Sequence, residues 1–241
     1  MNRARPVRLS KSRIASFEAC AKRLWLEIHR REVGHIDQQT QDLFAAGHLL
    51  GELARDNVPG GILIDADPRK IDGAIAQTAN LLRAGWNRPI FEAAFIRDDV
   101  VFRADILEPD GWGGWKLIEV KNATRLRPYM LKDVGSQRWV LGAKQLCVSS
   151  VSIRLVSRRL IGSERPKSVP RFFDLDVTSR IQDIVARRSS VIERARETAE
   201  GPEPHRTTGS HCTWPFRCQF HDYCRTNADG GGHMDTGSSL G

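Results

Sequence analysis

The sequence has no apolar run approaching the length of a membrane span, and its opening residues, Met1 to Pro6, are not followed by a signal-peptide core. No membrane association is expected, and a cytoplasmic location follows by default. No internal repeat is present, which sets aside solenoids and repeat arrays. Paired Cys-x-x-Cys knuckles are missing as well, so the usual signature of a zinc ribbon is not there. Acidic residues run short: 29 Asp and Glu face 37 Lys and Arg, for a net charge of +8 and a pI near 9.6. That excess is carried mainly by Arg and favours a polyanionic partner, nucleic acid before a membrane surface.

What is there suits one globular domain with a substantial core: 241 residues, 40% hydrophobic and 27% charged. Leu9 to Ser12 reads as a helix start, and the spacing of Ile14, Phe17, Leu24 and Leu26 predicts a helix to about Arg31 that carries Cys20. A second helix is predicted over 38–57, a short strand over 61–65 and a third helix from Pro68 to about Gly85. Three strands follow, over 90–96, 100–107 and 115–121, then a helix over 129–141 bearing Asp133 and Gln137. A β-branched strand at 151–156, a short run at 172–176 and an Arg-rich helix over 178–200, solvated on one side, precede a cysteine-rich end. This order predicts an α/β domain with a mixed central sheet over residues 1–225 and a disordered Gly- and Ser-rich tail over 226–241.

The strand Trp115–Lys121 puts Leu117, Glu119 and Lys121 on one face and Lys116, Ile118 and Val120 on the other. The turn-rich stretch Pro109 to Gly114 joins it to the strand bearing Asp105, so the two read as a hairpin with both carboxylates on adjacent strands. There they are close enough to share one divalent cation. Glu92, on the strand before, shares its predicted face with Ile90, Ala94 and Ile96 and is a candidate polar insertion into the site. The plain alternative is a surface hairpin with a solvated Glu–Lys pair.

Cys212, Cys218 and Cys224 are equally spaced, with five residues in each gap. Three thiolates close in sequence plus one distant cysteine can complete a four-cysteine iron–sulfur site, with Cys20 as the fourth ligand and Cys147 as a core residue. Trp214, Phe216, Phe220 and Tyr223 are positioned in sequence to shield it. Zinc, with His211 or His221, and the absence of any metal are the other readings.

Taken together, Leu9–Ser12, Cys20–Leu26, Gly51–Arg55, Pro59–Gly61, Phe91–Phe95, Arg103–Leu107, Leu117–Lys121 and the cysteine end resemble a PD-(D/E)XK nuclease of the RecB-like type. The likeness is to the branch clasped by a four-iron, four-sulfur cluster, which includes CRISPR-associated adaptation exonucleases and subunits of helicase–nuclease machines. The resemblance implies a restriction-endonuclease-like core and a metal-dependent exonuclease of repair, recombination or defence. Asp105 and Glu119 would be ligands of Mg²⁺ or Mn²⁺, with the Val120 carbonyl as a further ligand. Lys121 would orient or deprotonate the attacking water, while Gln137 and Glu92 match positions that help arrange the site. Related nucleases often carry a metal-binding His four residues after a helical Gly; here that slot is Gly51, and His48 is displaced from it by three. The aromatic often found after the motif glutamine is also replaced, by the run Arg138 to Leu141. Cys20, Cys212, Cys218 and Cys224 would hold the cluster. Implied partners are DNA, single-stranded or at duplex ends, with RNA as the other nucleic acid, and a helicase or other protein supplied separately. A catalytically inactive nucleic-acid-binding protein with the same fold is the alternative reading.

Overall fold

The computed structural model describes residues 7–64, 67, 70–143, 146–157, 171–214 and 216–227. In chain order the elements are β1 (Leu9–Ser10), α1 (Lys11–Ala19), α2 (Ala21–His29), α3 (Gln38–Asp56), β2 (Ile62–Leu63), α4 (Ile71–Arg83), β3 (Ile90–Arg97), β4 (Val100–Pro109) and β5 (Trp115–Lys121). There follow α5 (Pro128–Gly142), β6 (Val148–Ser157), β7 (Arg171–Asp176), α6 (Gln182–Ala186), α7 (Arg188–Glu200) and α8 (His221–Thr226). The strands form one mixed sheet in the order β2-β3-β4-β5-β6-β7. The pairs β2/β3 and β5/β6 are parallel, whereas β3/β4, β4/β5 and β6/β7 are antiparallel. The α/β class with a mixed sheet flanked by helices is therefore as expected.

The two faces of the sheet bury unequal cores. Leu117, Ile153, Leu155, Ala104 and Phe102 pack with Met130, Val134 and Val140 of α5 in the main core. Ile106 and Ile118, with Phe91 and Val58, make a smaller cluster on which Val120 packs. The alternation expected along β5 therefore holds: Leu117 and Glu119 face the main core, Ile118 and Val120 the other side. Full burial of each Leu or Ile stabilises by about 1.5–3 kcal/mol. Gly135 lets α6 close onto α5, since a Cβ there would stand 2.5 Å from Ile184 Cγ2.

The β4–β5 hairpin closes as an Asx turn, in which Asp110 Oδ1 accepts from the Trp112 and Gly114 amides at 2.7 and 2.9 Å. Gly111 and Gly113 supply the positive φ angles of +84° and +91°. The ladder runs from Pro109↔Trp115 to Ile106↔Ile118 and ends there. On the far half of β4, Val100 and Val101 pair instead with the short strand β1, parallel to it. Leu9 and Ser10, expected as a helix start, thus serve twice: they extend the sheet, and Ser10 then caps α1 by accepting from the Arg13 amide at 3.2 Å.

Several expectations need correction. The helix predicted from Ser12 to Arg31 is two helices. Cys20 between them is extended (φ −164°, ψ 121°), and its amide bonds to Ser16 O while its carbonyl accepts from Leu24. Ser16 Oγ donates to Glu27 Oε1 at 2.8 Å and pins α2 back on α1. The helix predicted over 178–200 divides into a 3-10 turn, α6 and α7. As expected one side of it is solvated, but Arg188 lies on the other, 1% exposed and donating to Glu18 Oε2 of α1 at 2.9 Å, because α7 packs under α1 and α5. Cys147, expected in the core, is exposed at the start of β6. The third helix begins at Ile71, and the strand expected over 61–65 spans Ile62–Leu63; Asp65 and Pro68 lie outside the described residues. Of the predicted tail, Thr226 ends α8, and residues 228–241 lie outside the described residues. Among the described residues no helix is long and apolar enough to cross a membrane.

Candidate active site and cysteine-lined cavity

The site forms where β4 and β5 part. One residue beyond the last ladder pair, Asp105 Oδ2 accepts from the Val120 backbone N–H at 2.7 Å. The Asp105 side chain thereby satisfies an amide that the separating strands leave without a ladder partner. Glu119 lies alongside, 2% exposed on the main-core face of β5. Two carboxylates buried together do not ionise independently. Burial, reinforced by Glu119, pushes the Asp105 carboxyl up to about 7. Burial opposes ionisation of Glu119 too, but the Lys11 and Lys121 ammonium groups outweigh it and pull Glu119 down to about 2.

Those ammonium groups hold Glu119 from two sides. Lys11 Nζ at the start of α1 donates to Glu119 Oε1 at 2.6 Å, and Lys121 Nζ stands 3.0 Å from the same oxygen. The other oxygen, Oε2, accepts from Gln137 Nε2 on α5 at 2.6 Å. Lys121 also donates to Asp133 Oδ2 at 2.5 Å. Burial alone would lower the Lys121 ammonium, yet Glu119 and Asp133 reverse that and hold it well above its ordinary range. Without a cation a lysine so held stays protonated, a state suited to orienting and charge stabilisation.

Glu92 faces Asp105 by strand register but departs from the expected alternation. Its φ is +55°, a left-handed conformation that costs a non-glycine residue of order 1 kcal/mol or more. Glu92 therefore leaves the set of Ile90 and Ala94, and its Oε1 lies 3.6 Å from Arg55 Nη1 of α3. Burial raises the Glu92 carboxyl, against the lowering fields of Arg55, Arg103 and Lys11. His48 is exposed on α3, two turns before Arg55, while Leu50 and Ala54 form that helix's buried side.

Sequence reading overlooked Lys11, a member of the segment treated only as a helix start, and no spacing pattern links it to Glu119, which is 108 positions away. Asp133 had a signal: it precedes Gln137 by four on α5 and so shares its face.

The residues fit a hard divalent cation by donor chemistry, since Asp105 and Glu119 are carboxylates on adjacent strands, one half-buried and one buried. Gln137 Oε1 beside them is buried and has no hydrogen-bond partner, a polar atom suited to a solvated ion. Against this, among the described residues no three His, Cys, Asp or Glu side chains are gathered at metal-ligand spacing. The cations that Glu119 contacts here are the two lysines.

The second feature is a cavity lined by Cys20, Cys212, Cys218 and Cys224. The break between α1 and α2 puts Cys20 there. The C-terminal segment folds over it through Cys218 N donating to Cys212 O at 2.7 Å and Cys224 N to Phe220 O at 3.0 Å. Phe220 is fully buried against Gly34, and His35 N donates to Gln219 O at 2.8 Å, fixing the segment to the end of α2. Burial raises the Cys218 and Cys224 thiols, and the neighbouring thiols raise them further. Lys22, Arg23 and Arg206 on the cavity wall supply opposing charge. A donor set of four cysteines with basic neighbours suits a thiolate-held cluster; His211 and His221 also line the wall. Of the aromatic residues expected to shield it, only Phe220 is buried. Trp214 and Phe216 are 64% and 51% exposed.

No protein-family profile matches the chain, and no curated protein matches it. Among solved structures the chain is similar to one titled "Crystal structure of SSO0001", with 14% sequence identity and a TM-score of 0.40, over 92% of this chain and 89% of that one.

Proposed function

We propose that the protein is a metal-dependent nuclease that hydrolyses DNA phosphodiester bonds, an exonuclease with a PD-(D/E)XK core and an iron–sulfur clasp. The observation that carries this reading is the pairing of half-buried Asp105 with buried Glu119 at the point where β4 and β5 separate, with Lys121 against Glu119. A buried carboxylate with a second carboxylate and a lysine half-buried beside it needs a purpose, because burying charge is costly unless a partner or reaction uses it.

Asp105 and Glu119 would hold Mg²⁺ or Mn²⁺, which when bound polarises a phosphoryl oxygen and acidifies a water. Gln137 fixes the Glu119 carboxylate by its bond to Oε2, and Asp133 fixes the Lys121 ammonium. Lys121, kept protonated, stabilises the extra negative charge that develops on the phosphoryl oxygens. Lys11 places a second ammonium beside it. No element of this set reads bases, so binding is sequence-indifferent and weakens steeply with salt. Cys20, Cys212, Cys218 and Cys224 would hold a four-iron, four-sulfur cluster that ties the α1–α2 junction to the C-terminal segment.

The contact of Lys11 with Glu119 favours a second reading, a nucleic-acid-binding protein that does not cut, since there an ammonium neutralises the carboxylate. Single-turnover cleavage separates the two. In the nuclease, Lys121→Ala lowers the rate about a hundredfold or more with little change in Mn²⁺ affinity, while Glu119→Gln loses both. DNA binding unchanged in Glu119→Ala, with no cleavage by either form, would establish the second reading.

A further inference from the structure

The cysteine-rich segment reaches the candidate active site through one aromatic contact. Phe216 lies between Cys212 and Cys218, and its ring meets Tyr129 edge-on, with centroids 5.4 Å apart and planes at 74°. Tyr129 stands in the first turn of α5, one turn before Asp133, so both lie on the same face of that helix. Asp133 is in turn the partner of Lys121. The aromatic pair is therefore two contacts from the residue that would face the scissile phosphate.

Neither ring is spent on the core. Phe216 is 51% exposed and Tyr129 is half-buried, while Phe220 four residues further on fills the interior completely. Trp214, two residues before Phe216 in sequence, is 64% exposed. Cations stand by the pair: Lys121 and Arg127 are close enough to bear on the Tyr129 phenol, and Lys132, one turn along α5, is 47% exposed in its side chain although it also meets Glu18 at 3.6 Å. Exposed aromatic faces beside basic side chains are what an unpaired nucleic-acid strand uses, because bases stack on the rings while phosphates meet the charges.

We infer that Tyr129 and Phe216 form a stacking shelf for an unpaired base of single-stranded DNA, which selects single-stranded over duplex ends for the adjacent carboxylate site. This rests on the nuclease reading for its consequence, although the shelf itself is a matter of binding. Duplex bases are stacked on one another and offer no free face, so a duplex end gains nothing from the shelf until it frays. The cysteine segment then has two tasks, closing the domain and carrying half of the shelf.

The test is an abasic scan. The iron-loaded full chain is titrated, by fluorescence anisotropy in Ca²⁺, against a labelled single-stranded oligothymidylate and a set in which one base at a time is removed. The parent loses affinity about five- to hundredfold at one position near the end, the range a single stacked base contributes. Phe216→Ala loses a similar amount with the intact strand and nothing further at that position, and Phe216→Trp restores it. If Phe216→Ala sheds iron, Tyr129→Leu, which keeps an apolar side chain but removes the ring, gives the same pattern without touching the cysteine segment. A uniform loss at every position, full affinity in both variants, or no binding of single-stranded DNA overturns the shelf. Phe216-dependent binding without cleavage by any form keeps the shelf and removes the nuclease. Cleavage with Phe216-independent binding does the reverse.

Discussion

The Asp105 carboxylate accepts the backbone N–H of Val120 at 2.7 Å, one residue past the point where β4 and β5 stop pairing. A side chain thereby completes a hydrogen bond that the separating strands cannot make, and the gap it bridges is where Glu119, Lys11 and Lys121 meet. Backbone and charge are coupled there: opening the strands makes room for the carboxylates, and Asp105 keeps the opening satisfied.

Asp105 makes the metal-free protein sensitive to pH. Its pKa is raised to about 7 in the fold, against about 3.9 in the unfolded chain. The folded state therefore keeps a proton that the unfolded chain has released, and stability falls as pH rises through the window between these values. Glu119, lowered to about 2, contributes stability that is fully present above its ordinary range and lost only in strong acid. In EDTA, Asp105→Asn melts several degrees above the parent near pH 8.5 and shows little advantage near pH 4, since about 1 kcal/mol moves a chain of this size by 2–4 °C. Equal melting of the two proteins at pH 8.5 would contradict the burial of this charge.

Lys11 competes with any cation for Glu119. Removing its ammonium in Lys11→Met frees Oε1 from one of two positive neighbours, so Mn²⁺ binding by calorimetry tightens, on the order of tenfold for a loss of about 1.4 kcal/mol of competition. The same variant melts lower without metal, because a buried carboxylate has lost a partner. Weaker Mn²⁺ binding would mean that Lys11 supports the ion site instead of opposing it.

The cysteines divide four against one. Cys218→Ala loses iron and the brown absorbance of the cluster and melts at least several degrees lower, whereas Cys147→Ser, whose side chain is exposed and apart from the cavity, keeps both. Iron retained in Cys218→Ala with an unchanged melt would remove the cluster proposal.

Beneath the clasp, Phe220 is fully buried. Phe220→Ala costs about 3–5 kcal/mol by the cavity it leaves, read as a lower denaturant midpoint at unchanged slope. A cost near zero would show that the segment does not contribute to the core.

The sheet was legible because its strands carry their own signal. Leu117 and Ile118 alternate as the pleat requires, and Asp110 with its glycines marks the hairpin unambiguously. Glu119 and Lys121 followed, since both sit on a strand whose face can be counted, while Gln137 was marked by the family resemblance alone. What escaped depends on tertiary contact. Lys11 reaches Glu119 only because β1 docks on β4 and aims the start of α1 at the gap. Cys20 interrupts what reads as one helix because Ser16 and Glu27 fold α2 back. Arg188 looks solvated in a run of arginines, but Glu18 on another helix draws it inside. Glu92 breaks the period of its strand through a positive φ that no side-chain pattern announces.

The most direct test is digestion of end-labelled single- and double-stranded DNA by anaerobically purified, iron-loaded protein with Mn²⁺, beside Asp105→Ala prepared identically. Stepwise shortening by the parent, absent in the variant at equal iron content, is the predicted result. Intact DNA with both proteins, or equal cleavage by both, contradicts the assignment of Asp105 and Glu119 as a hydrolytic site.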